Sequence, residues 1–195
     1  WEIQATSPTA IDGRWLPGPG IALFNAIKKA LGQLPIIAED LGLITPDVVK
    51  LRKDCGFPGV KILQFAFGSD GNHEFLPHNY NTDYVVYSGT HDNDTARGWW
   101  DNASEKERYF AGSYLAANAA DIHWAMIRAA SNSIANMAIF PLQDVLGLDQ
   151  KHRMNLPGSI DINWTWRFDW SMVRPEASRA LGMTTAASGC KYRQR

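Results

Sequence analysis

Short apolar runs alternate along this chain with apolar residues spaced at helical intervals, and that alternation sets the expected architecture. Leu23, Ala26, Ile27, Ala30 and Leu31 recur every three or four residues, which predicts an amphipathic helix over residues 21–32 closed by Gly32. Pro35-Ile36-Ile37-Ala38 reads as a short apolar strand ending on two acids, Glu39 and Asp40. Thr45 is an N-cap candidate with Pro46 in the first turn behind it, so a second helix should run to about residue 54. Residues 60–67 and 85–88 read as further strands, and residues 135–140 as a fourth. Helices are expected over residues 104–117, capped by Ser104, and over 121–131, with a helical turn at 142–146 after Pro141.

Strands alternating with helices predict parallel βα units and an α/β fold. A closed (β/α)8 barrel of the TIM type takes roughly 250 residues. About four parallel strands, with helices and long loops, in 195 residues amount to half of one. Such a half-barrel leaves two open strand edges and an uncovered inner face. Residues 1–20 are turn-rich, and residues 155–170 alternate turn residues with tryptophans.

Composition narrows the partners more than the fold. The chain is 45% hydrophobic and 20% charged with a net charge of −1, so no basic footprint points to nucleic acid. No apolar run approaches the roughly 18 residues of a membrane helix, and no basic amphipathic stretch points to a membrane surface. The two cysteines, Cys55 and Cys190, make no metal or redox spacing. The first residue is Trp1 rather than Met, which leads us to expect a fragment. The eight tryptophans read first as core residues, with stacking on a flat ligand as the second reading.

In a βα barrel the chemistry sits at the C-terminal ends of the strands. Acids follow every predicted strand: Glu39 and Asp40 after the first, Asp70 after the second, Asp92 and Asp94 after the third, and Asp144 after the fourth. Carboxylates there can protonate a leaving oxygen, steady a positive centre and accept hydrogen bonds from hydroxyls. Asp after a strand also caps helices, the preferred reading for Asp70 and Asp144. Glu39 and Asp92 follow apolar runs directly and are the functional candidates. His91, Asp92 and Asp94 leave a metal site open as a further reading, although no second histidine cluster supports it.

Several segments in order resemble one family. Ile36-Ile37-Ala38-Glu39-Asp40-Leu41-Gly42, Gly59-Val60-Lys61-Ile62-Leu63-Gln64-Phe65-Ala66-Phe67 and Leu76-Pro77-His78-Asn79-Tyr80 come first. Gly89-Thr90-His91-Asp92-Asn93-Asp94-Thr95, Pro141-Leu142-Gln143-Asp144, Arg153-Met154-Asn155-Leu156-Pro157-Gly158 and Asn163-Trp164-Thr165-Trp166-Arg167 follow. Together they resemble the amylomaltases and disproportionating enzymes, the 4-α-glucanotransferases of glycoside hydrolase family 77. The resemblance covers residues 1–175 and implies the C-terminal half of a (β/α)8 catalytic domain, with residues 176–195 as a divergent or frayed tail.

The resemblance also implies roles. Glu39 matches the general acid/base, and Asp92 the carboxylate that holds sugar hydroxyls and stabilises the transition state. His91, Asp40 and Asn155 match glucan contacts. It implies α-1,4-glucans and maltooligosaccharides as partners, no metal, no organic cofactor, and a cytoplasmic or plastid setting. The family's nucleophile lies in an Asp-His-Phe-Arg-Gly-Phe-like run, which this sequence lacks. The expectation is therefore a part of a retaining transferase that is inactive alone. The alternative is a non-catalytic remnant that binds maltooligosaccharides.

Overall fold

The computed structural model describes residues 1–42, 44–160 and 162–190. The chain forms two compact units, one ending at Pro58 and the other beginning at Gly59.

The first unit holds two helices, α1 (Ile21–Leu31) and α2 (Pro46–Asp54). Thr45 and Pro46 start α2 as the sequence predicts, although the Thr45 side chain makes no capping hydrogen bond. Phe24 on α1 meets Phe57 edge-on, with ring centroids 5.2 Å apart. Near the start of the chain, Glu2 and Arg14 exchange backbone hydrogen bonds, and their side chains pair at 2.8 Å. The strand expected at residues 35–38 does not form. Pro35 has no N–H to offer, the Ile36 N–H turns back onto the Leu34 carbonyl, and only Ala38 reaches out, donating to the Pro58 carbonyl at 2.9 Å. Among the described residues of this unit the only buried side chain is Arg52. Ile11 and Leu31 are largely exposed.

The second unit is built on a parallel sheet of three strands, in the order β1 (Gly59–Ile62), β2 (Tyr84–Tyr87) and β3 (Met137–Ile139). Three strands among the described residues replace the four expected. β1 also stops earlier than residue 67, turning at Ile62 into a 3-10 helix over Leu63–Phe65. The apolar run hides the reason. Leu63, Ala66 and Phe67 are all fully buried, and that i, i+3, i+4 spacing is helical rather than alternating. β3 is confined to three residues at the sheet edge. Its Met137 and Ile139 stay substantially exposed while Val85 and Val86 on the central β2 are covered.

The connection from β1 to β2 carries only short 3-10 turns, the second over Pro77–Asn79, instead of the helix a simple βα repeat predicts. Three helices lie between β2 and β3: α3 (Ala96–Asn102), α4 (Glu105–Leu115) and α5 (Ile122–Ser131). Ser104 and Glu107 form a reciprocal capping box at the start of α4. Gly98 and two adjacent tryptophans obscure the pattern of α3 in the sequence. Its cap is Thr95, whose side chain accepts from the Gly98 N–H. After β3 come α6 (Leu142–Val145) and α7 (Pro175–Ala187).

α7 occupies most of the stretch expected to be a divergent or frayed tail. Pro175 in its first turn and the alanines Ala177, Ala180, Ala186 and Ala187 favour helix, and it packs against α5. Residues 191–195 of that stretch lie outside the described residues.

The core fills the space between the sheet and the helices that follow β2. Leu63, Phe67, Leu76, Val86, Ile122 and Met126 are each fully buried there. Phe67 anchors an aromatic cluster, with its centroid 5.5 Å from Trp99 and 6.1 Å from Phe110. None of the eight tryptophans is fully buried, against the core reading. Trp99 and Trp100 pack against the core from its margin, and Trp164 and Trp170 are mostly exposed.

Candidate active site

The loop leaving β2 carries the densest chemistry, and the sequence around it fixes its shape. Ser88, fully buried directly after β2, donates its hydroxyl to Asp144 Oδ2 at 2.6 Å. Asp144 Oδ1 accepts the Ala96 N–H at 2.7 Å, so one carboxylate ties the end of β2 to the first turn of α3. Burial pushes the Asp144 carboxyl up to about 6, against the pull of those two hydrogen bonds. Asp144 does not cap the helix it belongs to, α6, as the sequence reading expects; it accepts the first N–H of α3, whose N-cap is Thr95. Asp70, the other acid read as structural, accepts the Asn72 N–H at 2.9 Å in a local turn.

Between Ser88 and Ala96 the loop is held from inside. Gln64, buried after β1, donates its side-chain amide to the Asp94 carbonyl at 2.7 Å. Asn93 Oδ1 accepts from both the N–H and the hydroxyl of Thr90, closing a tight turn. With Asn93 turned inward, the two residues before it are turned outward, and His91 and Asp92 are both exposed.

Three of the residues singled out from sequence meet here. Asn155 donates its amide to Asp92 Oδ1 at 2.6 Å, across 63 positions of chain. His91 Nε2 lies 3.4 Å from the same oxygen. The His91 ring leans on Trp164 with centroids 5.1 Å apart. The backbone of Trp164, held at φ 63, donates its N–H to the Met154 carbonyl next to Asn155.

Arg153 lies behind this group. Its Nη2 donates to the Asp92 carbonyl at 2.6 Å, its Nε to the Asn155 carbonyl at 2.7 Å, and its Nη1 stands 3.9 Å from Asp94 Oδ2. The Asp94 carboxyl is raised by burial, an effect opposed by the Thr95 N–H and the Arg153 charge. Asp92, Asp94, Arg153, Trp99, Asn102 and Phe65 line one open cleft of about 630 Å3.

The remaining two candidates lie in the first unit. Glu39 is exposed in this unit. Asp40 is largely covered, with Oδ2 3.0 Å from Arg52 Nε, and Arg52 also donates to the Phe57 carbonyl. Among the described residues no group of three or more His, Cys, Asp and Glu side chains converges as a metal site requires, so the His91, Asp92 and Asp94 reading as metal ligands finds no support.

In the sequence Arg153 and Trp164 stand only as members of longer motifs. The single signal for Arg153 is its place two residues before Asn155.

The family model described as 4-alpha-glucanotransferase matches residues 1–172. This chain belongs to the 4-alpha-glucanotransferase family. It is 52% identical over 168 residues to the chloroplastic/amyloplastic 4-alpha-glucanotransferase of Arabidopsis thaliana, a match covering 86% of this chain and 29% of that protein. With the 4-alpha-glucanotransferase of Synechocystis sp. it shares 48% identity over 192 residues, covering 97% of this chain and 38% of the relative. Among solved structures, the amylomaltase from Streptococcus agalactiae in complex with acarbose superposes with a TM-score of 0.90 at 36% identity. That match covers 97% of this chain and 39% of the other. The chain therefore spans well under half the length of the 4-alpha-glucanotransferases it matches. No helix among the described residues is long and apolar enough to cross a membrane.

Proposed function

We propose that this chain is the C-terminal half of a (β/α)8 catalytic domain and supplies two of the working carboxylates of a 4-alpha-glucanotransferase. The observation that carries this reading is the convergence of His91, Asp92 and Asn155 beside an open cleft in a chain of that family. A carboxylate flanked by an amide and an imidazole suits the hydroxyls of a sugar and the positive charge that develops as a glycosidic bond breaks.

The full-length protein transfers segments of α-1,4-glucan between maltooligosaccharides with retention of configuration. Glu39 acts first as acid toward the leaving oxygen and then as base toward the incoming hydroxyl. Asp92 stabilises the oxocarbenium-like transition state. His91, Asn155 and Asp40 contribute to holding the glucan. An aspartate nucleophile is supplied by residues outside these 195, so the chain alone forms no covalent intermediate. Acarbose, held by the amylomaltase of similar fold, is a compound of the same saccharide class, which supports the choice of substrate.

The test is Glu39→Gln in the full-length protein, followed by glucose release from maltotriose. General acid/base loss costs about 10²- to 10⁴-fold in rate. Wild-type turnover in the variant would overturn the assignment. The 195-residue chain alone should release no glucose above an enzyme-free control.

A further inference from the structure

Asp92 and Asn155 reach each other from segments 63 positions apart, and neither segment is fixed there by a strand or a helix. The loop after β2 is braced at Thr90, Asn93 and Asp94, and the Thr90 hydroxyl accepts the Asp92 N–H at 3.3 Å, which leaves the Asp92 carbonyl to be held. Asn155 follows the 3-10 turn over Gln150–His152 and precedes an irregular stretch. Arg153 is the side chain that spans the gap. Different nitrogens of its guanidinium donate to the carbonyl of Asp92 and to the carbonyl of Asn155, and the third stands 3.9 Å from the Asp94 carboxylate.

A guanidinium is planar, always charged and rigid, so carbonyls bound by two of its nitrogens are held at a set spacing. Asp94 compensates the charge, and Arg153 is mostly covered, with about a fifth of its side chain exposed. The backbone of Arg153 is itself anchored, its N–H donating to the Gln150 carbonyl at 3.0 Å. The side chain does not contact the Asp92 carboxylate, so it works on that group only through the backbone.

We propose that Arg153 is a positioning residue that sets the Asn155 amide against the Asp92 carboxylate by clamping the two backbone segments together. Lysine cannot replace it. A single ammonium is a compact point on a flexible stem and does not fix the spacing of two carbonyls. For its kinetic consequence this inference rests on the proposed function. Its structural content does not.

The experiment compares wild type, Arg153→Lys, Asn155→Ala and the double variant in the full-length protein. With maltotriose, Arg153→Lys should lower kcat by about tenfold or more while KM changes little, the sign of an interaction used in the transition state. The double variant should be no slower than the worse single one, because both substitutions break the same contact. Losses that multiply would overturn the proposal. The crystal structure of Arg153→Lys decides it independently of activity. Loss of the Asn155–Asp92 hydrogen bond supports the clamp, and its survival at hydrogen-bond distance overturns it. If wild type fails to release glucose from maltotriose, the functional reading fails, and the crystallographic result alone judges the clamp.

Discussion

Ser88 donates its hydroxyl to Asp144 at 2.6 Å across 56 positions of chain, and this buried contact anchors the root of the loop that carries His91 and Asp92. Because Asp144 also accepts the Ala96 N–H, one carboxylate fixes both ends of that loop.

The raised Asp144 carboxyl makes stability fall with rising pH. Between about pH 4 and pH 6 the folded protein holds a proton here that the unfolded chain has lost, so this group's contribution is complete below the lower value and gone above the upper. From the ordinary 3.8 to about 6, the effect is on the order of 3 kcal/mol. Asp144→Asn should keep both hydrogen bonds, its oxygen facing Ala96 and its amide facing Ser88, and should flatten that part of the profile. Denaturant midpoints of the full-length protein measured from pH 4 to 7 check this. An unchanged slope in the variant would refute it.

Gly98→Ala should damage the site without touching it. An added Cβ would overlap the Asp94 carboxylate. Alanine improves helix propensity by up to about 1 kcal/mol, and the overlap with a largely covered carboxylate costs about 1–3 kcal/mol. The expected result is a net loss of stability and weaker Arg153–Asp94 pairing, read by thermal unfolding and kcat together. A more stable variant would show that Asp94 moves freely.

Arg52→Ala should be among the costliest substitutions in the first unit. Asp40 is about one-tenth exposed, and its carboxylate sits 3.0 Å from the Arg52 guanidinium. Leaving a covered charge without that partner costs about 3–5 kcal/mol. Asp40→Asn should therefore lower stability as well as any glucan affinity, so an effect of Asp40 on binding has to be measured well below the unfolding midpoint. Unfolding of Arg52→Ala within about 1 kcal/mol of wild type would remove this constraint.

Ser104→Ala removes the capping box of α4, where the Ser104 hydroxyl and Glu107 carboxylate serve each other's backbone N–H. The expected loss is about 1 kcal/mol. The hydrogen bonds to Ser104 also hold the Glu107 carboxyl below its ordinary range, so its titration should return upward in the variant. NMR titration of Glu107 gives that second reading.

The sequence by itself determined the elements whose causes are local. α1, α2, α4 and α5 begin and end close to where apolar spacing and capping residues place them, because those signals act within a few residues. It also supplied the chemistry of the loop after β2, since Gly89-Thr90-His91-Asp92-Asn93 is contiguous. Tertiary structure decided the rest. An apolar run such as residues 60–67 is equally ready to be strand or turn, and only burial of Leu63, Ala66 and Phe67 against one core ends β1 at Ile62. The pairing of Asp92 with Asn155 and the reach of Arg153 to both carbonyls join residues separated by some 60 positions. Such contacts depend on how distant segments pack, and a hydrogen bond only a few ångströms long leaves no periodicity in the chain from which to read them.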